Sequence, residues 1–149
     1  MSLIDRAIEL SGYFQVVAER LHGVKKNNPE TSGVISAQES QLLLSVGTRE
    51  ALKMSEIAEA LQLTLSSVTA LVDKLEAKAF VTRQRSLEDR RIVRVSLTAE
   101  GRKFYDLIQD AQRKLSLSVL KVLSRDEQDM LLALFRKLAA KLRAGEKRR

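Results

Sequence analysis

Between residues 55 and 97 the apolar residues change their spacing in a way that few folds accommodate. "SEIAEAL" places Ile57, Ala58 and Leu61 on one helical face, and "LSSVTALVDKLEA", three residues further on, does the same with Leu65, Val68, Leu71, Val72 and Leu75. The period then falls from that of a helix to that of a strand. Val93, Val95 and Leu97 alternate with polar residues, the pattern of a half-buried strand. Two short helices joined by "QLT", with Thr64 placed to cap the second and a two-stranded ribbon over 81–85 and 92–97 directly after it, describe a winged helix-turn-helix.

The flanking segments read as longer helices. Ile4, Ala7, Ile8, Ser11, Phe14, Val17, Ala18 and Leu21 recur at helical spacing over residues 3–22, and "GVKKNNPETSGV", with the only proline of the chain, ends that helix in a loop. Ser36-Ala37-Gln38-Glu39 is a capping box that opens a second helix running to about Gly47, followed by the turn "GTREALK". Thr98 caps a long helix with a stripe of Phe104, Ile108, Ala111, Leu115, Val119 and Val122. A second capping box, Ser124 to Glu127, starts a final helix with Met130, Leu131, Leu134, Phe135, Leu138 and Leu142. The expected fold class is mainly α with a small two-stranded β-wing: a winged helix-turn-helix flanked by N- and C-terminal dimerisation helices. In residue ranges, one domain covers 1–149, with the winged lobe at 36–98, the dimerisation helices at 1–23 and 99–145, and a basic tail at 146–149. The terminal helices either pack on the winged core or pair with a second copy. Pairing is the better reading, because a winged core is small and already complete.

Composition removes most chemistry. The chain has no cysteine and one histidine, His22, which excludes disulfides, thiolate nucleophiles and a zinc site, and no cofactor or metal is expected. Carboxylate pairs such as Asp126/Glu127 and Glu56/Glu59 sit where helix caps and solvated faces account for them, so an enzyme is not expected. No apolar run approaches the roughly 20 residues of a membrane span, and "MSLIDRAIEL" lacks the layout of a signal peptide, so a cytoplasmic protein without membrane contact is expected. The net charge of +7 favours a polyanionic partner. Four arginines, Arg83, Arg85, Arg90 and Arg91, crowd around the turn of the ribbon and call for something anionic to touch.

The most specific stretch is "DRRIVRVSLTAEG". It resembles the wing of the MarR (multiple antibiotic resistance regulator) family, Asp-x-Arg, five residues, Leu-Thr, and a glycine three on, at Asp89, Arg91, Leu97, Thr98 and Gly101, while "SEIAEALQLTLSSVTALVDKLEAKAFV" is similar to the two helices before it. The resemblance covers essentially the whole chain. It implies a homodimeric repressor that binds double-stranded DNA at an inverted repeat, with recognition helices in successive major grooves and wings in the flanking minor grooves. Arg91 then looks like the minor-groove arginine, oriented by Asp89, with Arg83, Arg85 and Arg90 on phosphates. A narrow minor groove concentrates negative potential that a guanidinium on a slender ribbon can reach. Thr64, Ser66, Ser67, Thr69 and Lys74 are the recognition-helix candidates, although Ser66 and Ser67 serve equally well as capping residues. The chain departs from the family in three places: Ala70 stands where many relatives have a basic residue, Gln62 where a turn glycine is common, and Lys53 where serine or threonine usually caps a helix. Family members commonly sense small anionic or phenolic compounds. Tyr13, Phe14, His22, Phe104 and Tyr105 are the aromatic candidates for such a pocket, plain core being the alternative. Some members respond to oxidation of a cysteine, which this chain lacks. The competing reading is a winged-helix module that binds protein or RNA instead of an operator.

Overall fold

A computed structural model describes residues 1–20 and 34–146, in the order α1 (Leu3–Arg20), α2 (Ala37–Gly47), β1 (Leu52–Lys53), α3 (Met54–Leu61), α4 (Leu65–Ala77), β2 (Val81–Arg85), β3 (Val93–Leu97), α5 (Ala99–Lys121) and α6 (Arg125–Glu146). His22 and Leu21, most of the expected loop, and the last three residues of the basic tail lie outside the described residues. Two compact units result: one from the described parts of 1–24 and 109–149, the other from those of 25–108. The division falls inside α5, ten residues beyond the 98/99 boundary read from the sequence.

In the winged unit the helical spacing is realised almost as read. Val68, Leu71, Val72 and Leu75 of α4 are buried with Ile57 of α3 and with Leu42, Leu43 and Val46 of α2. Leu65 is the exception: it is 56% exposed, because it is the first residue of α4 and stands one turn ahead of the part of the helix that reaches the core. Val95 and Val81 close the core from the sheet. The sheet has three antiparallel strands in the order β1-β3-β2, where the sequence led us to expect two. The added strand is only Leu52–Lys53, within the segment read as a turn, with Leu52 opposite Val95. Two residues are too few to show alternation.

The helix ends explain several local choices. Thr64 accepts the Ser67 amide at 3.1 Å, and Ser124 and Glu127 cap each other reciprocally, the Ser124 amide donating to Glu127 at 2.8 Å. The first capping box closes on one side only. Ser36 accepts the Glu39 amide at 3.1 Å, but the buried Glu39 carboxylate turns instead to Lys78 Nζ at 2.5 Å, fastening α2 to the end of α4. Lys53 precedes α3 without a side-chain cap.

Both helices of the pair end through a left-handed residue that is not glycine. At α3 this is Gln62 (φ 54°), whose own amide donates to Glu59 while that of Leu63 donates to Ala58. At α4 it is Ala79 (φ 61°), with its amide on Glu76 and that of Phe80 on Leu75. Immediately afterwards the Phe80 carbonyl accepts the Thr98 amide at 3.1 Å, Thr98 Oγ1 donates to the Ala79 carbonyl, and the Gly101 amide donates to Thr98 Oγ1 at 3.0 Å. A Cβ on Gly101 would lie 1.8 Å from the Phe80 oxygen. The start of α5 therefore seats on the base of the ribbon, where Phe104 stacks on Phe80.

In the terminal unit Ala7 and Leu10 of α1 are buried with Leu120 of α5 and Leu132 of α6. Phe135 packs edge-on against Phe14 and is stacked with Tyr13. Arg136 Nε donates to Glu9 at 2.5 Å, Tyr13 Oη donates to the same carboxylate at 2.9 Å, and buried Arg6 pairs with Asp129 at 2.6 Å. The Arg136 guanidinium holds the Glu9 carboxyl below the usual glutamate range, so this link is complete above that range and is lost as pH falls through the lowered value. Burial, then the Glu9 hydrogen bond, raise the Tyr13 phenol. The stripes read from the sequence are buried only in part. Ile4 and Ile8 of α1, Leu115 of α5, Val122 just past its end, and Met130, Leu134 and Leu138 of α6 are all exposed.

Glycine tolerates a left-handed conformation that costs other residues about 1 kcal/mol, so Ala79→Gly and Gln62→Gly are each expected to stabilise the protein by roughly 0.5–1 kcal/mol. Gly101→Ala is expected to destabilise it by more than the two gains together, since backbone must move. Equilibrium urea unfolding of the three variants tests both signs.

Candidate nucleic-acid interface

The ribbon ends in a turn built from its own polar groups. Ser86 N–H donates to the Ile92 carbonyl at 2.9 Å and Ile92 N–H to that of Asp89 at 3.0 Å, while Ser86 Oγ accepts the amides of Glu88 and Asp89 at 3.3 and 3.4 Å. Asp89 Oδ1 accepts the Arg91 amide at 3.0 Å and lies 3.6 Å from Arg91 Nε. One carboxylate thus holds both the backbone and the near edge of Arg91, whose side chain is 95% exposed. Arg85 and Arg90 are also exposed.

Arg83 is placed differently from its three neighbours in the sequence. Its guanidinium pairs with Asp73, donates to the Thr69 carbonyl at 3.3 Å, and has its Nε 3.7 Å from Glu76. It ties β2 to α4. Expected as a phosphate contact, it is occupied with carboxylates of the recognition helix.

At the start of α4, Thr64 and Ser67 are joined hydroxyl to hydroxyl at 2.9 Å, and Thr69 Oγ1 donates to the Leu65 carbonyl at 2.9 Å. Ser66, Ala70 and Lys74 are exposed. Two leucines join this surface that the sequence reading had not assigned to it: Leu65, read as core, and Leu87, fully exposed on the turn. The signal for Leu65 was its place as the first residue after the cap. For Leu87 there was none, because a lone exposed leucine is ordinary.

The aromatic candidates divide between the units. Tyr13 and Phe14 pack with Phe135 in one, while in the other Phe104 stacks on Phe80 and Tyr105 covers Gly47, where a Cβ would enter its ring. Arg102 lies over the Tyr105 ring at 5.1 Å and donates to the Gly47 carbonyl at 3.0 Å, capping α2. His22 is outside the described residues. Among the described residues no group of His, Cys, Asp or Glu could hold a metal ion, and no helix is long and apolar enough to cross a membrane.

Comparisons with known proteins agree with this geometry. The sequence profile of the MarR family matches residues 35–93. The HTH-type transcriptional repressor MdtR of Bacillus subtilis is 30% identical over 140 residues, covering 94% of this chain and 88% of that protein. Among solved structures, Streptococcus pneumoniae FabT in complex with DNA superposes with a TM-score of 0.72 at 25% identity over 77% of this chain and 83% of that one. NadR in complex with 4-hydroxyphenylacetate does so with a TM-score of 0.57 at 27% identity over 70% and 74%. With the helix pair, the wing and an identity that extends over nearly its whole length, this chain belongs to the MarR family of DNA-binding transcriptional regulators, which are not enzymes.

Proposed function

We propose that this regulator is a cytoplasmic homodimeric repressor of an inverted-repeat operator, released by a small aromatic or amphipathic acid. The observation that carries the reading is the apolar surface left open on the terminal unit. Met130, Leu134 and Leu138 recur every fourth residue on α6 and are exposed, as are Ile4 and Ile8 on α1. A second copy related by a two-fold axis would cover such stripes, and two-fold symmetry in the protein matches an inverted repeat in DNA. Arg91, presented by Asp89, enters the minor groove. Arg85 and Arg90 meet phosphates, and Arg83 braces the ribbon against α4. In the major groove Ser66, Thr69 and Lys74 contact backbone or base edges, Thr64 and Ser67 set the helix start, and Leu65 can meet a thymine methyl. The likeness to MdtR, a transcriptional repressor, supports the sign of regulation. The 4-hydroxyphenylacetate complex of NadR supports the class of effector. The half-buried rings of Tyr13 and Phe14 in the terminal unit, or of Phe104 and Tyr105 in the winged unit, are the candidates to meet it, as is His22.

Light scattering is expected to give a dimer, and Leu134→Glu a monomer or an aggregate; a clean monomer from the parent chain at micromolar concentration would contradict the architecture. Titration of a duplex selected from a random library should show an inverted repeat, steep salt dependence and no comparable affinity for an RNA of equal length. Arg91→Ala should weaken that binding about 10- to 100-fold at unchanged melting temperature, Asp89→Ala less. Arg83→Ala should lower the melting temperature, since it removes a brace worth on the order of 1 kcal/mol. Brief peroxide should leave binding unchanged and a panel of aromatic acids should contain a compound that weakens it. Rapid loss with peroxide that a thiol reductant reverses would refute the regulatory argument.

A further inference from the structure

The three strands carry a row of side chains that none of the roles above uses. In the register of the sheet Lys53 is opposite Arg94, and Arg94 is opposite Gln84, so a lysine, an arginine and an amide cross the sheet side by side. They share the face opposite to the buried Leu52 and Val95. Like charges directly opposite on neighbouring strands repel. Lys53 also stands at the N-terminus of α3, where a cation is unfavourable. Among the described residues neither Lys53 nor Arg94 forms an ion pair. Next to the row lies an open concavity of about 360 Å³ whose lining includes Gln84, Arg85, Ser86, Arg94 and Ser96, with Glu88 as its one carboxylate and Ala51 and Leu87 as its apolar residues. The Arg94 guanidinium, two hydroxyls and the Gln84 amide around one hollow, with Arg85 at its edge, suit a phosphate oxygen.

We propose that this outer face of the wing sheet is a second phosphate-binding surface, which takes the backbone of duplex DNA flanking the operator. The inference rests on DNA binding by the family lobe. Arg83, on the inner face with Val81 and Val95, is tied to α4, so the inner face looks toward the recognition helix and the outer face away from it. DNA held by the start of α4 and the wing tip passes the outer face only where it continues beyond the wing. Lys53 and Arg94 are then retained for a charge that is absent until DNA arrives.

The test compares a core duplex, selected by its binding to the protein, with the same duplex extended by about one helical turn, roughly 10 base pairs, on each side. The parent protein is expected to gain on the order of tenfold in affinity from the extension and to show a steeper salt dependence. Lys53→Gln combined with Arg94→Gln should bind the core duplex as the parent does and lose the gain, its salt slope falling by about two per protomer. Arg94→Lys, which keeps the charge, should retain most of the gain. The double variant should melt no lower than the parent, because the charges it removes oppose the fold. An equal gain in the double variant, no gain in the parent, an equal loss on the core duplex, or a lower melting temperature would each overturn the inference. So would inorganic phosphate that stabilises the parent and not the double variant while the gain from the extension persists, which would mark a site for free anions. A parent that binds neither duplex would sink the DNA reading itself, and this inference with it.

Discussion

The carbonyl oxygen of Phe80 is the point on which the DNA-binding lobe turns. It follows the left-handed residue that ends α4, it accepts the amide of Thr98 at the base of the ribbon, and it occupies the space that a side chain on Gly101 would need. Three elements are thereby set by one peptide group: the end of α4, the root of the wing and the first turn of α5. Thr98 completes the joint, since its hydroxyl donates to the Ala79 carbonyl and accepts the Gly101 amide. The Leu-Thr and the later glycine of the wing motif are thus one constraint seen at two places in the sequence. This joint and the Arg83 link from β2 to α4 together connect the wing to the recognition helix.

Much of this was legible in the sequence because caps and periods are local. Thr64, Thr98 and Ser124 start helices where the residues alone placed them, and Ser36 does so with half of its box. What escaped was decided by partners distant in the chain. β1 exists because Leu52 meets Val95, and two residues carry no period of their own. Glu39 looked like a reciprocal cap, but a buried carboxylate beside Lys78 gains more from a full opposite charge than from one backbone amide. Ala79 gave no sign of its positive φ, since nothing in alanine favours that conformation. The hydrogen bonds of the helix end and the Phe80 joint impose it.

The arginines of the ribbon show how the same residue type is assigned different work by what lies within reach. Arg83 is on the inner face near Asp73 and Glu76, so its charge is paired within the lobe and links β2 to α4. Arg91 lies beyond the last strand pair, where it pairs with Asp89, and that carboxylate is shared with a backbone amide. Its outer edge stays in water. Sequence spacing grouped these residues, and their places in the ribbon separate them: Arg83 and Arg85, two positions apart on β2, share one face by alternation, whereas Arg90 and Arg91 lie in the turn beyond the strands.

The two units differ in how far each satisfies itself. The winged unit buries the inward residues of α2, α3 and α4 around one core and leaves few large apolar side chains outside. On α6, by contrast, Leu132 and Ala139 are buried while Met130, Leu134 and Leu138 are exposed, so one helix is apolar on two faces. Burying a leucine or methionine is worth about 1.5–3 kcal/mol, and three left in water forfeit several kcal/mol, a large part of what holds a chain of this size together. Surface positions on a helix ordinarily carry charge, and α6 does carry it, at Arg136 and Lys137 among others. The uncovered stripe is therefore a choice of position within a well-charged helix. The helix thus pairs Arg136 with Glu9 to hold α1 on one side and carries on another a regular row of apolar side chains that the described residues of its own chain leave uncovered.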